Sequence, residues 1–192
     1  CGGSQKAVSA PPGLSFVTIS DDAYKAMRSR KTPVASFYAN ILAFDGYYEK
    51  QWFPYTMPIS DIYGLRQAFD NIKNDPDMLK RHRKIGEAVR AAVVEAGLEL
   101  YQETGFSNTV TVFNVPQGTT DTAILTAMKE KCNIMLAFGA FAGKVIRIGH
   151  MGENAYPEKV EAVMSGLDKV FADLGITLKC SLKDAYNKRM NG

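Results

Sequence analysis

The sequence contains little histidine and little cysteine: two residues of the first and three of the second in 192. Neither His82 nor His150 has a cysteine or carboxylate near it at the spacing of zinc ligands, so the sequence predicts no metal site. The three cysteines, Cys1, Cys132 and Cys180, are odd in number and far apart, which argues against a disulfide framework. We therefore expect reduced thiols.

The chain also lacks a strong excess of charge and a long hydrophobic run. Its 23 basic and 20 acidic side chains give a net charge of +3, which leaves no broad electrostatic surface for nucleic acid or an anionic membrane. The basic run KRHRK at 80–84 lies in a helical segment and predicts a solvated helix face, with an anion-binding patch as the alternative. No apolar stretch approaches the ~20 residues of a membrane span, and no signal-peptide pattern is found at the N-terminus. These absences predict a cytoplasmic protein with no nucleic-acid or membrane partner.

The hydrophobic content, 46%, is ample for a packed core, and the first part of the chain is irregular. Apolar residues at 13–19 predict a short strand, and Ser20 is a typical N-cap for a helix that runs to about Arg30. The segment at 31–60 is rich in aromatic residues and interrupted by proline and glycine, as in a functional loop or an interface. From Ser60 the apolar spacing is helical again.

The second part of the chain has a regular order of elements. Asp75 and Pro76 predict the start of the longest helix, and Gly97 predicts its end. Strands are then expected at 98–104, 108–115, 133–138 and 144–149, with helices at 120–131 and 157–174. This order is typical of an α+β module with an antiparallel sheet. We therefore expect residues 1–75 to belong to a larger domain, and residues 76–192 to form a long linking helix and a small α+β domain.

Two short stretches of the first part carry candidate chemistry. Lys6 precedes a Pro-Pro-Gly segment whose backbone is strongly restricted, so its position is fixed more closely than that of most lysines. A positioned lysine amine can act as a nucleophile on a carbonyl carbon. Thr56 lies in the proline-bounded loop PYTMPIS. Taken singly, each residue also has an ordinary interpretation, as a surface lysine and as a turn threonine.

A third stretch, KVIRIGHMG at 144–152, places Arg147 on a predicted strand. An arginine side chain can hold a carboxylate through two parallel hydrogen bonds, although a solvent-facing strand has the same pattern. Four glycines surround it and allow a ligand to approach the backbone closely: Gly139, Gly143, Gly149 and Gly152. The stretch GAFAGK at 139–144 is not a phosphate loop, because its spacing is one residue short and a strand follows it.

Together and in this order, three segments resemble the class V pyridoxal-phosphate aminotransferases, which include the alanine–glyoxylate and serine–glyoxylate (serine–pyruvate) enzymes. SQKAVSAPPGLSFVTIS is similar to the cofactor-lysine segment of that family, PYTMPISDIYGLRQAF to its threonine-proline loop, and KVIRIGHMGENA to its substrate-arginine strand. The resemblance covers most of the family's C-terminal half. It implies an α/β protein of the pyridoxal-phosphate transferase fold type I, with this chain as a C-terminal fragment that begins just before the cofactor lysine.

The resemblance also implies roles for four residues. Lys6 forms an imine with pyridoxal 5'-phosphate and moves a proton between the substrate Cα and the cofactor. Gln5 binds the cofactor by a hydrogen bond, and Thr56 reaches the cofactor phosphate of the neighbouring subunit in a homodimer. Arg147 binds the substrate α-carboxylate. The implied reaction passes an amino group from a small amino acid, such as alanine or serine, to a 2-oxo acid, such as glyoxylate or pyruvate.

The sequence departs from the family pattern in two respects. Phe53 stands where some members have tyrosine, which removes one hydroxyl from the phosphate site unless Tyr55 replaces it. In the family, the aspartate at the pyridine nitrogen, the stacking aromatic residue and the phosphate loop all precede the lysine, and the chain has no counterpart of them. The resemblance therefore implies that the 192-residue chain alone is inactive.

Two other functions stay open. A lyase or desulfurase of the same superfamily needs a mobile cysteine near the substrate, for which the sequence offers only Cys132, at a predicted helix end. Alternatively, the part after residue 76 is a non-catalytic α+β interaction domain, and Lys6 and Arg147 have no catalytic role. Such a domain would fold as a stable monomer that is indifferent to pyridoxal phosphate.

Overall fold

A computed structural model of the chain describes residues 1–138 and 141–192. The chain divides into two compact units, Cys1–Asp70 and Asn71–Gly192. The division falls inside a long helix, α2 (Ile59–Lys73). No helix within the described ranges is both long enough and apolar enough to cross a membrane.

The first unit begins with a short hairpin, in which β1 (Gly2–Gly3) pairs antiparallel with β2 (Ser15–Phe16). The prediction of a strand over 13–19 is therefore wrong in length, because β1 offers only two residues for β2 to pair with. Helix α1 (Asp21–Arg28) begins where predicted, since the Ser20 hydroxyl accepts a hydrogen bond from the Ala23 N–H at 3.2 Å. The aromatic segment then runs to α2 and contains one 3₁₀ turn, Ile41–Phe44.

The second unit is built from four helices and a small antiparallel sheet. Its elements in chain order are α3 (Met78–Glu95), β3 (Val110–Asn114), α4 (Asp121–Cys132), β4 (Val145–Gly149), α5 (Pro157–Asp173) and α6 (Leu182–Asn191). Strand β3 pairs antiparallel with β4, with Val112 opposite Arg147. The predicted antiparallel sheet is thus found, with fewer regular strands than expected.

The predicted strands at 98–104 and 133–138 are reduced to single bridges. Leu100 pairs with Phe113 on one side of the sheet, and Ala137 pairs with Arg147 on the other. After Tyr101, whose N–H donates to the Val112 carbonyl, the chain leaves the sheet, and Gly105 then turns it with a φ of +72°. A left-handed residue of this kind interrupts the extended geometry that a strand requires.

The core of the second unit lies between the inner face of the sheet and the helices. Its fully buried side chains include Ile85, Val89, Phe113, Ile124, Ile146, Ile148, Leu167, Phe171, Leu182 and Tyr186. Helix α6, which is absent from the expected order of elements, packs against α3 and α5. The α5 residue Asp168 fixes its start, since its carboxylate accepts hydrogen bonds from the Ser181 hydroxyl at 2.8 Å and the Leu182 N–H at 2.7 Å.

Candidate functional site

Lys6 lies in a tight turn whose backbone is organised by the fully buried Ser4. The Ser4 hydroxyl donates to the Pro11 carbonyl at 2.6 Å, and the Ser4 carbonyl accepts from the Ala10 N–H at 3.0 Å. The Ser9 N–H donates to the Lys6 carbonyl at 2.9 Å. The backbone of Lys6 is therefore held from several sides. Its side chain is exposed and, within the described part of the chain, makes no hydrogen bond or ion pair.

Helix α2 packs against the turn that contains Lys6, which we call the lysine turn. Pro11 packs on Gly64 so closely that a Cβ at position 64 would lie 2.8 Å from the Pro11 Cδ. The rings of Phe16, on β2, and Phe69, on α2, also contact each other, with their centroids 6.0 Å apart. The missing side chain of Gly64 thus allows the helix to carry the turn.

Gln5 and Thr56 lie in the same unit as Lys6. The Gln5 side chain folds over Gly3, where its Oε1 would lie 2.6 Å from a Cβ at position 3. Thr56 is exposed, in the irregular segment that leads into α2. Among the residues that the structure describes, neither the Gln5 amide nor the Thr56 hydroxyl has a hydrogen-bond partner. The structure thus places Gln5 and Lys6 together in one turn, and Thr56 just before the helix that supports it.

The Tyr55 hydroxyl, expected as a replacement for the one absent at Phe53, is bound within the aromatic segment. It donates a hydrogen bond to the Phe37 carbonyl at 2.6 Å. A phenol has a single proton, so this bond leaves none to donate to a phosphate. The Tyr55 ring is further fixed against Tyr38 at a centroid distance of 4.8 Å and against Phe44 at 5.4 Å. For Tyr55 to take over the phosphate contact, its hydroxyl would have to leave the Phe37 carbonyl.

Arg147 lies in the middle of β4 and is exposed, while its neighbours Ile146 and Ile148 are buried on the other face. Its backbone is paired on both sides, with Val112 opposite and with its N–H donating to the Ala137 carbonyl at 2.6 Å. Its guanidinium makes no hydrogen bond or ion pair with any described residue. A rigid strand therefore presents a cation without an anionic partner, an arrangement suited to a carboxylate ligand.

The glycines around Arg147 leave space beside it. A Cβ at Gly143 or at Gly149 would meet no atom within 4 Å. Gly143 and Gly152 have φ values of +81° and +56°, which a residue with a side chain rarely adopts. Gly139, the fourth glycine predicted to contribute, lies outside the described residues.

His82 of α3 holds the segment that follows β4. Its Nε2 accepts a hydrogen bond from the Gly152 N–H at 2.9 Å, and its Nδ1 lies 2.7 Å from the Met78 carbonyl. Only an imidazole with its proton on Nδ1 satisfies both contacts. His82 is buried, so the predicted solvated face at 80–84 is wrong at this position.

Arg81 makes a second connection from α3 to the same segment. Its Nε donates to the Ala155 carbonyl at 2.8 Å, its guanidinium lies 4.4 Å from the centre of the Tyr156 ring, and its two terminal nitrogens bind the Asp75 carboxylate. The hydrogen bond from Arg81 lowers the pKa of Asp75. The Arg81 guanidinium is thus occupied by contacts within the fold, unlike that of Arg147.

His150 is completely buried directly after β4. Its Nε2 lies 2.9 Å from the Thr111 hydroxyl oxygen of β3. Burial lowers its pKa from 6.5 to about 4, so the ring is neutral near pH 7. Across residues 1–138 and 141–192, no group of three or more histidine, cysteine or acidic side chains is placed to hold a metal ion.

Three supporting residues act through contacts that the sequence does not reveal: Ser4, His82 and Asp121. Two of them have a local signal, since Ser4 begins the SQK stretch and Asp121 directly follows the N-cap Thr120 at the start of α4. Lys6, Gln5 and Thr56 lie in the first unit and Arg147 in the second.

Comparisons with known proteins relate the chain to aminotransferases. It is 36% identical over 183 residues to an uncharacterized aminotransferase of Methanocaldococcus jannaschii, a match that covers 92% of the chain and 47% of the relative. It is 35% identical over 180 residues to serine–glyoxylate aminotransferase of Arabidopsis thaliana, covering 90% and 44%. Among solved structures, ureidoglycine–glyoxylate aminotransferase of Bacillus subtilis matches with a TM-score of 0.91 at 25% identity, over 100% of the chain and 51% of that protein.

No protein-family model matches the chain. The chain spans about half the length of the curated relatives it matches.

Proposed function

The chain is a homologue of the class V aminotransferases over about half of their length, and from this premise we propose that it supplies the lysine and the arginine of a pyridoxal-phosphate-dependent transamination. The proposed reaction transfers an amino group from a small amino acid, alanine or serine, to a 2-oxo acid, glyoxylate or pyruvate. The observation that carries the proposal is the lysine turn, in which the backbone of Lys6 is fixed while its amine has no partner among the described residues.

The residues around Lys6 fit pyridoxal phosphate. An amine, an amide and a hydroxyl, on Lys6, Gln5 and Thr56, are the donors and acceptors that an aldehyde, a phenolic oxygen and a phosphate require. In this proposal Lys6 holds the cofactor and moves a proton at the substrate Cα, Gln5 binds the polar groups of that cofactor, and Thr56 binds the phosphate of the cofactor in the neighbouring subunit. When bound, the cofactor supplies an electron-withdrawing ring that stabilises negative charge on that carbon.

Arg147 is proposed to bind the α-carboxylate that amino acids and 2-oxo acids share. A hydrogen bond between charged groups contributes about 1.5–3 kcal/mol, and a guanidinium can make two of them to one carboxylate. Two bonds also fix the orientation of the substrate, which presents its Cα–H for proton transfer. The carboxylate is common to both substrates, so Arg147 serves both halves of the reaction.

A homodimer is proposed from the exposed aromatic residues at 37–56. We call the aromatic surface those that are exposed by half or more: Phe37, Tyr38, Tyr47, Tyr48 and Trp52. Such clustered apolar side chains are typical of an interface. In this dimer Thr56 would contact the cofactor of the neighbouring subunit. Residues 1–75 would complete the cofactor domain, and residues 76–192 would form the small domain, in a cytoplasmic enzyme.

Desulfurase chemistry is less well supported. Cys132, the last residue of α4, is half-buried, and its Sγ lies 3.8 Å from the Gly166 carbonyl of α5. A thiol packed between two helices does not have the mobility that attack on a substrate sulfur requires. A non-catalytic interaction domain would not account for a lysine whose backbone is fixed while its amine has no partner among the described residues.

Borohydride reduction with pyridoxal phosphate tests the proposal. The complete gene product and the 192-residue chain are incubated with the cofactor, reduced, digested and mapped by mass spectrometry. We expect the label on Lys6 far above Lys25, an exposed lysine of the same unit that pairs with Asp22 at 3.4 Å. The variant Lys6→Ala should lose the label, while Lys25→Ala should keep it. Equal labelling of both lysines in the complete gene product, together with no transamination, would refute the proposal. The 192-residue chain alone is expected to show no turnover.

A further inference from the structure

Strand β4 is preceded by a tight turn, residues 141–144, which we call the β4 entry turn. The Lys144 N–H donates to the Phe141 carbonyl at 3.1 Å, and the Lys144 carbonyl accepts from the Val115 N–H at 2.9 Å. Gly143 within the turn has a φ of +81°. Arg147 follows the turn by three residues on the strand, so the position of the turn determines the position of the Arg147 backbone, from which its side chain extends.

The carboxylate of Asp121 holds the β4 entry turn. Asp121 is the first residue of α4 and is only 7% exposed. Its Oδ2 accepts a hydrogen bond from the Gly143 N–H at 2.6 Å, while its Oδ1 accepts from the Thr122 N–H at 2.7 Å. The Gly143 N–H is the main reason that the pKa of Asp121 is lowered. The carboxylate is therefore ionised near neutral pH, and the bond to the turn is charge-assisted.

A second contact, between two aromatic rings, also fixes the turn. The Phe141 ring packs on the Tyr101 ring with centroids 5.0 Å apart. The Tyr101 N–H donates to the Val112 carbonyl at 3.0 Å, and Val112 lies opposite Arg147 in the sheet. The turn is thus held between α4 and the strand neighbours of Arg147.

We propose that Asp121 is a positioning residue for Arg147. By tying Gly143 to the start of α4, it fixes the β4 entry turn and thereby the place at which the Arg147 guanidinium receives a carboxylate. This inference rests on the proposed role of Arg147 as the α-carboxylate site. Displacement of a binding group by about 1 Å is enough to weaken its interactions severely, because charge-assisted bonds depend on geometry.

Thr120 provides a matched control for a merely structural role of Asp121. Its hydroxyl accepts from the Ala123 N–H at 3.1 Å and so caps the same helix end, and it makes no hydrogen bond to the described residues of the turn. Loss of a cap costs about 0.5–2 kcal/mol. If Asp121 only stabilises α4, then Thr120→Ala and Asp121→Ala should have the same consequences.

The test compares Asp121→Ala, Asp121→Asn and Thr120→Ala in the complete gene product. In Asp121→Ala, we expect the KM for both the amino acid and the 2-oxo acid to rise about tenfold, with kcat within about threefold, because the carboxylate site is misplaced. Asp121→Asn keeps an oxygen for the Gly143 N–H without the charge, so its KM values should lie between those of the wild type and those of Asp121→Ala. Thr120→Ala should leave both KM values within about twofold. Amide hydrogen exchange over 141–149 should accelerate in Asp121→Ala but not in Thr120→Ala.

Arginine modification gives a readout that is independent of transamination. Phenylglyoxal should modify Arg147, and pyruvate should protect it in the wild type and in Thr120→Ala, but much less in Asp121→Ala. Unchanged KM values and full protection in Asp121→Ala would overturn the inference, as would equal losses in Asp121→Ala and Thr120→Ala. If pyruvate protects Arg147 in the wild type but no transamination is found, the proposed reaction is wrong. The role of Asp121 is then decided by comparing protection in Asp121→Ala and in Thr120→Ala. Absence of protection in the wild type would overturn the role of Arg147 and this inference together.

Discussion

The imidazole Nε2 of His82 accepts a hydrogen bond from the backbone N–H of Gly152 at 2.9 Å, across 70 positions of the sequence. The same ring binds the Met78 carbonyl through its Nδ1. The first turn of α3 and the segment after the arginine strand are therefore joined by one neutral side chain that satisfies two backbone groups.

Replacement of His82 by alanine should destabilise the second unit. The change leaves the Gly152 N–H without its partner and opens a cavity, which together should lower the free energy of unfolding by about 2–4 kcal/mol. Urea unfolding followed by circular dichroism measures this loss. The exposed neighbour Arg83 provides the control, since Arg83→Ala should change stability by less than about 0.5 kcal/mol. Equal stability of the two variants would contradict the prediction.

Stability should fall as the pH is lowered from about 6.5 to about 4, because of His150. In this window the unfolded chain binds a proton at position 150 that the folded protein does not bind, since burial lowers the native pKa from 6.5 to about 4. The unfolded state then holds more protons, so stability rises with pH and is fully present above the unfolded value. A shift of this size corresponds to a loss of about 3 kcal/mol at the acidic end.

Unfolding at several pH values, in the wild type and in His150→Gln, measures this dependence. The variant should show a shallower slope between pH 6.5 and 4. Asp75 also loses its contribution in acid, but its native pKa lies below the ordinary 3.8, so that loss comes at lower pH. Identical slopes in the two proteins would exclude His150 as the cause.

Gly64→Ala should destabilise the first unit. Alanine in place of glycine inside a helix normally stabilises a protein by about 0.5–1 kcal/mol. Here the new Cβ would lie 2.8 Å from the Pro11 Cδ, so the lysine turn must move. We expect a net loss of about 1–3 kcal/mol and weaker labelling of Lys6 by pyridoxal phosphate. A stabilised variant with full labelling would show that the contact between Pro11 and α2 does not position the turn.

The double variant Tyr38→Ser/Trp52→Ser should shift the protein from dimer to monomer. The two side chains are 77% and 58% exposed in the single chain, and they belong to the aromatic surface proposed as an interface. Loss of large aromatic residues from an interface often reduces the free energy of association by about 2 kcal/mol. Sedimentation velocity measures the shift. Tyr63→Ser, at an exposed tyrosine of α2 outside this surface, is the control and should leave the dimer intact.

Local signals predicted most helices of the fold. Helix α3 ends before Gly97, whose φ of +85° stops it, and α5 begins at Pro157 at the N-terminal turn. These features depend on neighbouring residues and can be read from the sequence. Helix α6 also has a local start signal, since the Ser181 hydroxyl accepts a hydrogen bond from the Asp184 N–H at 3.1 Å, whereas the contacts that Asp168 of α5 adds to this start come from the fold.

The residues of the candidate site also differ in whether the local sequence or the fold reveals their role. Lys6 and Arg147 stand in short motifs, so the sequence alone predicts them as candidates. Ser4 and Asp121 act through partners seven and 22 positions away, and nothing in their own surroundings reveals those partners. The hydroxyl of Tyr55 is likewise bound to a carbonyl 18 positions earlier, which the sequence does not reveal.

The packing of α6 on α3 sets the order of events during synthesis. Helix α3 packs against α6 within one core cluster, so the buried side chains of α3 gain this part of their cover only after Leu182 and Tyr186 have left the ribosome. Until then the nascent second unit exposes an apolar helix face, which chaperones recognise and which aggregates readily. Premature termination before Leu182 should therefore yield an insoluble product, even though every proposed binding residue has already been translated.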